Sequence, residues 1–312
     1  MNNMANTEGL FDQVLTYPDF IYQDRLNNLV GLEDEKSRLT KILGLLVNPH
    51  GLKVWAGKYH NGADNLMATV LRRPPLVVLA GDVGSGKTEL AETIGDAVAR
   101  QEKIEISLFP LSLSSRGQGR VGEMTQLVSS AFDHAIQAAS KLKSQSGKAR
   151  GGVILLIDEA DALAQSREAS QMHHEDRAGV NAFIRGIDRI ANANLPAAVI
   201  MCTNRLNALD PAVKRRAADI LSFTRPNTIQ RQAVLKTPLI QLGFSLPQIT
   251  ELVEATGATS GRDYGCTFSD LTQRLIPQIV LDAYPSKAVN PIRALEIART
   301  VDPTPPFVEG KP

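Results

Sequence analysis

The sequence predicts an α/β fold on a mainly parallel sheet, followed by a smaller helical domain. Three apolar runs, LVVLA (76–80), VILLI (153–157) and AAVIMC (197–202), are aliphatic and β-branched without alternation. That pattern suits strands covered on both faces. Helix-like segments at 88–101, 123–142 and 177–192 lie between them, so strand and helix alternate. Past Pro226 the alternation ends, and 227–300 reads as helices broken by Pro and Gly with no comparable strand run.

In chain order, residues 1–24 form a short N-terminal segment and 25–225 a large domain. KIEISLF (103–109) and DILSF (219–223) add two strands to the three purest runs, which makes five. SKLKSQSGKARGG (140–152) is a basic, small-residue loop ahead of VILLI, most simply a solvated connection. The boundary falls near Arg225–Asn227. Residues 226–300 make the helical domain, and VDPTPPFVEGKP (301–312) is a Pro-rich, irregular tail.

Composition excludes several classes. Apolar residues make up 43% and charged residues 21% of the 312, an ordinary globular balance. Lys and Arg number 34 against 33 Asp and Glu, so no global basic excess points to nucleic acid or an anionic membrane. Cys202 and Cys266 have no metal-like spacing and read as reduced, buried thiols. The N-terminus lacks the cationic and apolar regions of a secretory signal, and no apolar run approaches the roughly 20 residues a membrane span needs. A cytoplasmic protein is expected.

Directly after LVVLA comes Gly81-Asp82-Val83-Gly84-Ser85-Gly86-Lys87-Thr88, followed by a helix-like run. This matches G-x-x-x-x-G-K-[ST] in its strand–loop–helix context. The glycines let backbone N–H groups close around phosphate oxygens, and the helix N-terminus favours anions. Lys87 is placed to reach the β- and γ-phosphates and the Thr88 hydroxyl to ligate Mg²⁺. A chance match in a chain this long is on the order of one in a hundred from average glycine usage.

VILLI runs into Asp158-Glu159-Ala160-Asp161. An Asp at the tip of an apolar strand beside such a loop can hold Mg²⁺. Glu159, next along, is placed to polarise an attacking water as general base. The letters DEAD also suggest a DEAD-box RNA helicase, but S-A-T and H-R-x-G-R-x-x-R are missing and no second α/β domain follows.

AAVIMC continues into Thr203-Asn204-Arg205, with Leu209-Asp210-Pro211-Ala212 soon after. Here the chain resembles the AAA+ family, whose second region of homology reads T-N-R-x-x-x-L-D-P-A. The resemblance implies a P-loop domain with a five-stranded parallel sheet and a small helical lid, binding ATP with Mg²⁺. It implies that Asn204 is sensor 1. It also implies that Arg215 or Arg216 reaches the γ-phosphate of a neighbouring subunit in a hexameric ring, with the spacing leaving the choice open. Thr259-Ser260-Gly261-Arg262 looks like a sensor 2 element at a helix start, with Arg262 on phosphate. Val30 and Gly31 resemble the backbone that meets adenine, and Glu89 completes the nucleotide-binding set.

Nothing else reads as catalytic. His173-His174-Glu175 does not make H-E-x-x-H, so no metalloprotease module is expected. Arg120, Val121 and Gly122 sit where AAA proteins carry their first pore loop, without its usual aromatic residue. Gln165–Asp176 is the corresponding second loop.

Ala212–Ile220 and Thr259–Arg262 resemble the pachytene-checkpoint ATPases, hexameric remodellers that open HORMA-domain proteins by pulling on an N-terminal segment. Bacterial relatives stand beside a HORMA protein and a cGAS-like nucleotidyltransferase in CBASS anti-phage systems, where the ATPase restrains signalling. Only about 24 residues precede the AAA core, which points to the compact bacterial type. The expected partners are therefore copies of itself and a HORMA-domain client, alone or with a nucleotidyltransferase, with neither membrane nor nucleic acid. Two alternatives stand beside this: a helicase-loader or clamp-loader-like switch on a DNA-bound assembly, and a nucleotide-gated scaffold with negligible turnover.

Overall fold

The structure is a computed structural model and describes residues 10–11, 13–61, 63–113, 123–144, 147–161, 174–205 and 209–307. It falls into two compact units. The first comprises Met1–Asn27, Asp34–Ala80 and Thr88–Ser222. The second comprises Asn28–Glu33, Gly81–Lys87 and Phe223–Pro312.

The elements run β1 (Leu15–Tyr17), α1 (Phe20–Asn28), α2 (Glu33–Val47), α3 (Pro49–Tyr59), α4 (Asp64–Leu71), β2 (Leu76–Gly81), α5 (Lys87–Glu102), β3 (Glu105–Ser112) and α6 (Glu123–Leu142). They continue with β4 (Gly151–Asp158), α7 (His174–Ala193), β5 (Ala197–Thr203), α8 (Pro211–Lys214) and β6 (Ala217–Phe223). The sheet order is β1-β3-β4-β5-β2-β6. The pairs β3–β4, β4–β5 and β5–β2 are parallel, with Leu155 opposite Val199 and Val78 opposite Met201. Every residue from Gly151 to Ile157 and from Ala197 to Thr203 is buried, as unalternating apolar runs require.

The sheet has six strands where five were expected. The addition is β1, antiparallel to β3 with Leu15 opposite Leu108 and Tyr17 opposite Ile106. Three residues, Leu-Thr-Tyr, give too short an alternation to stand out in the sequence. What places them is tertiary: Tyr17 is fully buried and its hydroxyl donates to the Glu92 carbonyl on α5. Leu15–Tyr17, from the segment before residue 25, are therefore part of the sheet.

One sheet face is covered by α6 and α7. Val128, Phe132 and Ala135 of α6 and Val180, Phe183 and Ile187 of α7 share a cluster with Val153, Leu155, Ile157, Val199 and Met201. The Phe132 and Phe183 rings meet edge to face at 5.8 Å. This packing fixes the C-terminal ends of β4 and β5, which carry the acidic and amide residues of the candidate site.

In the second unit, α9 (Thr228–Gln241) starts at a capping box in which Asn227 and Gln230 satisfy each other's backbone N–H groups. Next come α10 (Leu246–Ala255), a π-helical turn (Asp270–Leu275), α11 (Ile276–Ala283) and α12 (Pro291–Thr300). Asn290 caps α12 ahead of Pro291, whose missing N–H costs nothing at a helix start. Among the described residues, no helix is long and apolar enough to cross a membrane.

Candidate nucleotide site

In the second unit, the loop between β2 and α5 curls around its own lysine. Lys87 is 7% exposed, and its Nζ donates to the Asp82 carbonyl at 2.7 Å and the Gly81 carbonyl at 3.0 Å. Gly81, Gly84 and Gly86 all have positive φ, the freedom the glycine spacing predicted. The Gly84 carbonyl accepts from Ser269 N–H at 3.1 Å. Asp82 is held by Arg225, whose Nε donates to its Oδ2 at 2.6 Å while Nη1 reaches the Gly265 carbonyl at 2.8 Å. The Arg225 guanidinium also lies 4.9 Å from the Tyr264 ring centre. Arg225 escaped the sequence reading because nothing in its own neighbourhood marks it; its partners lie far off in the chain.

The segment 30–32 joins the same unit. Leu32 is buried, and a Cβ on Gly86 would stand 3.0 Å from its Cδ1. The Gly31 carbonyl accepts from Gln230 Nε2 at 2.8 Å and its N–H donates to Glu33 Oε1 at 3.2 Å. Val30 is exposed, with its N–H on the Asn28 carbonyl.

Arg262 departs from its expected setting. Thr259 and Arg262 pair their backbones across a tight turn, and helical residues resume only at Phe268. The Arg262 side chain serves its own turn, donating to the carbonyls of Tyr264 at 2.8 Å and Gly257 at 3.0 Å. A Gly-Arg pair after Thr-Ser reads equally well as a helix start or a turn, and these carbonyl contacts select the turn. Beyond this turn, Thr267 and Ser269 do reach the phosphate loop, at Gly84.

In the first unit, the strand tips assemble the acidic cluster. Asp158 closes β4, and its Oδ1 accepts the Glu159 N–H at 2.8 Å. Burial pushes the Asp158 carboxyl above its ordinary range, and hydrogen bonds from the Glu159 N–H and the Thr88 hydroxyl offset that only in part. A buried carboxylate beside a hydroxyl is an oxygen donor set suited to a hard cation such as Mg²⁺. Glu159 turns into the left-handed region at φ 52°, and its Oε2 accepts from the Ser112 hydroxyl at 3.0 Å. Asp161 gathers three donors: the Thr203 hydroxyl at 2.7 Å, Asn204 N–H at 2.8 Å and Asn204 Nδ2 at 3.3 Å. Asp161 was part of the acidic motif but carried no assigned role.

Glu89, expected in the nucleotide set, spends its side chain elsewhere. Arg25 Nε and Nη2 meet its two carboxylate oxygens at 2.8 and 2.7 Å, and Nη2 also reaches Glu92. Its place in the first turn of α5 explains the pairing, since α1 lies alongside. Arg216 is clasped bidentately by Asp188 at 2.7 and 2.9 Å, whereas Arg215 is exposed with no side-chain partner among the described residues. Arg120, Val121 and Gly122 lie outside the described residues, as does 165–173 of the second loop.

Residues 77–225 match the family model AAA, ATPase family associated with various cellular activities. The chain is 65% identical over 309 residues to CD-NTase-associated protein 6 of Escherichia coli (strain MS 115-1), covering 99% of both chains. It superposes with a TM-score of 0.88 on a chain of the E. coli MS115-1 HORMA:CdnC:Trip13 complex, at 65% identity and 96% and 97% coverage. Rhizobiales Trip13 follows at 57% identity and TM-score 0.75, covering 95% of this chain and 100% of that one. Fold, phosphate loop and acidic strand tip thus define an AAA ATPase, an enzyme that binds and hydrolyses ATP. Within that class, the chain belongs to the family of CD-NTase-associated protein 6, the Trip13-type ATPases.

Proposed function

We propose that this ATPase works as a hexameric, cytoplasmic ring that opens or disassembles complexes of a HORMA-domain protein. In doing so it restrains a cGAS-like nucleotidyltransferase in anti-phage signalling. The observation that carries this reading is its 65% identity, over nearly the whole of both chains, to the ATPase of a HORMA:CdnC:Trip13 complex.

The chain's own residues supply the parts. The Lys87 amine would exchange the loop carbonyls it now holds for β- and γ-phosphate oxygens. Thr88 and Asp158 would hold Mg²⁺, which neutralises phosphate charge when bound. Glu159 would accept the proton of the attacking water, with its carboxylate kept in place by the Ser112 hydroxyl. Asn204, fixed by Asp161, would orient that water. Arg215, exposed and with no side-chain partner among the described residues, suits the role of reaching a neighbouring subunit. Arg216, held by Asp188, suits a supporting one. A phosphate contact by Arg262 would require it to leave the carbonyls of its turn. Arg120 and Val121 remain our candidates for gripping the client.

Glu159→Gln should bind ATP without hydrolysing it and so trap the client in native lysate. Mass spectrometry of what stays bound with ATP and leaves without it should recover a HORMA-fold protein, alone or with a nucleotidyltransferase. Recovery of DNA with replication proteins in its place would sink the client assignment and leave the ATPase intact.

A further inference from the structure

The segment that follows α12 is built into the second unit. Val301 and Pro303 are buried. The Thr304 hydroxyl donates to Asp270 Oδ1 at 2.7 Å and its N–H to Asp270 Oδ2 at 3.0 Å. Arg274 Nη1 bridges the same carboxylate and the Asp302 carbonyl, both at 3.1 Å. Further on, Phe307 N–H donates to Asp82 Oδ1 at 3.4 Å. Asp82 is a residue of the phosphate loop itself.

Asp270 is the other end of the clasp. It is fully buried, its Oδ2 accepts Thr267 N–H at 2.9 Å, and its own N–H donates to Thr267 Oγ1 at 3.1 Å. The turn so fixed abuts the phosphate loop. Ser269 N–H bonds the Gly84 carbonyl, and a Cβ on Gly84 would come within 2.8 Å of Thr267 Oγ1 and 3.1 Å of Ser269 Cβ.

We propose that residues 301–307 are a strap that holds the phosphate loop in its ATP-binding shape, with Asp270 and Thr304 as positioning residues. The loop residues 82–86 lie between β2 and α5 and belong to neither, so their shape is set by what their carbonyls and side chains bond. Asp82, paired with Arg225, also meets the strap at the Phe307 N–H, and Gly84 meets the turn the strap clasps. The clasp is charge-assisted and centred on a buried carboxylate, a setting in which a lost partner is strongly felt. With the clasp open the loop samples shapes that do not bind, and the apparent Kd rises as the competent fraction falls. This rests on ATP binding by the phosphate loop, which Lys87→Ala tests separately.

Thr304→Val keeps the side-chain volume and removes the hydroxyl. Titration with a fluorescent ATP analogue, alongside steady-state kinetics, should show Kd and KM raised about tenfold. The kcat at saturating ATP should change by less than about twofold, since the clasp touches no reacting atom. Thr304→Ser restores the hydroxyl and should restore both constants. A Thr304→Val chain that melts as the parent does and binds ATP with unchanged Kd would overturn the strap. So would a lower melting temperature with unchanged Kd in the folded fraction, since that describes a merely structural tail. Retained ATP binding in Lys87→Ala would instead overturn the loop reading beneath both.

Discussion

Asp161 and Asn204 are joined by two hydrogen bonds across the tips of β4 and β5, one from the Asn204 backbone N–H and one from its side-chain amide. The Thr203 hydroxyl adds a third donor to the same carboxylate. The amide that would orient the attacking water is thus aimed by a carboxylate three residues beyond Asp158. Asp161→Ala should lower kcat on the order of ten- to a hundredfold, because small misplacement near the reacting atoms is costly. KM for ATP should hold within about twofold. Parallel measurement of kcat and KM decides it: an unchanged kcat would show that Asn204 needs no such support.

The two arginines at the end of α8 should separate cleanly. Arg216→Ala breaks a half-exposed ion pair with Asp188, worth less than about 1 kcal/mol of stability. Arg215→Ala breaks no described side-chain contact and should leave the melting temperature alone while reducing turnover about a thousandfold. Adding Arg215→Ala subunits to Lys87→Ala subunits, each inactive alone, should restore part of the activity if Arg215 acts across the subunit boundary. No recovery in the mixture would count against it.

Legibility in the sequence followed the range of the interactions. β2, β4 and β5 were readable because burial on both faces leaves an unbroken apolar run, and the phosphate loop because its glycines and lysine are contiguous. Asp158 and Glu159 followed from a strand tip. Illegible were contacts that join distant segments without periodicity: β1 on β3, Arg25 on Glu89, Arg225 on Asp82, and the strap from Thr304 to Asp270. The pairing of Arg216 with Asp188 was equally hidden, since Asp188 lies on α7. The turn at Thr259–Arg262 was misjudged because the four residues carry no signal that separates a helix start from a hairpin-like turn.

Two glycines from the quoted motifs should respond in opposite ways. At Gly81, φ is +151° and an added Cβ would lie 1.9 Å from the Phe223 carbonyl oxygen, a backbone atom that cannot swing aside. Gly81→Ala should cost more than about 3 kcal/mol or prevent folding. At Gly261 nothing stands within 4 Å of the added carbon, and Gly261→Ala should stay within about 0.5 kcal/mol. Denaturant melts of the two variants make the comparison, and equal midpoints would contradict the close approach of Phe223 to the loop.

Asp270 should make the protein acid-sensitive. Burial alone would raise its carboxyl, but hydrogen bonds from Thr267 and Thr304 outweigh that and hold it below the ordinary range. Its ionised form is therefore favoured more in the folded chain than in the unfolded one, where the carboxyl titrates near about 3.9. The resulting stability is fully present above that value and drains away as pH falls through the lower, folded value. Asp270→Asn carries no such proton dependence and offers Thr304 an amide with only one accepting oxygen. The parent should be the more stable at neutral pH, and its margin over Asp270→Asn should shrink steadily below about pH 4. Thermal melts of both chains across that range test the sign. A margin that stays constant would mean the carboxyl titrates alike in the folded and unfolded chains, and a margin that widens would mean the clasp favours its protonated form.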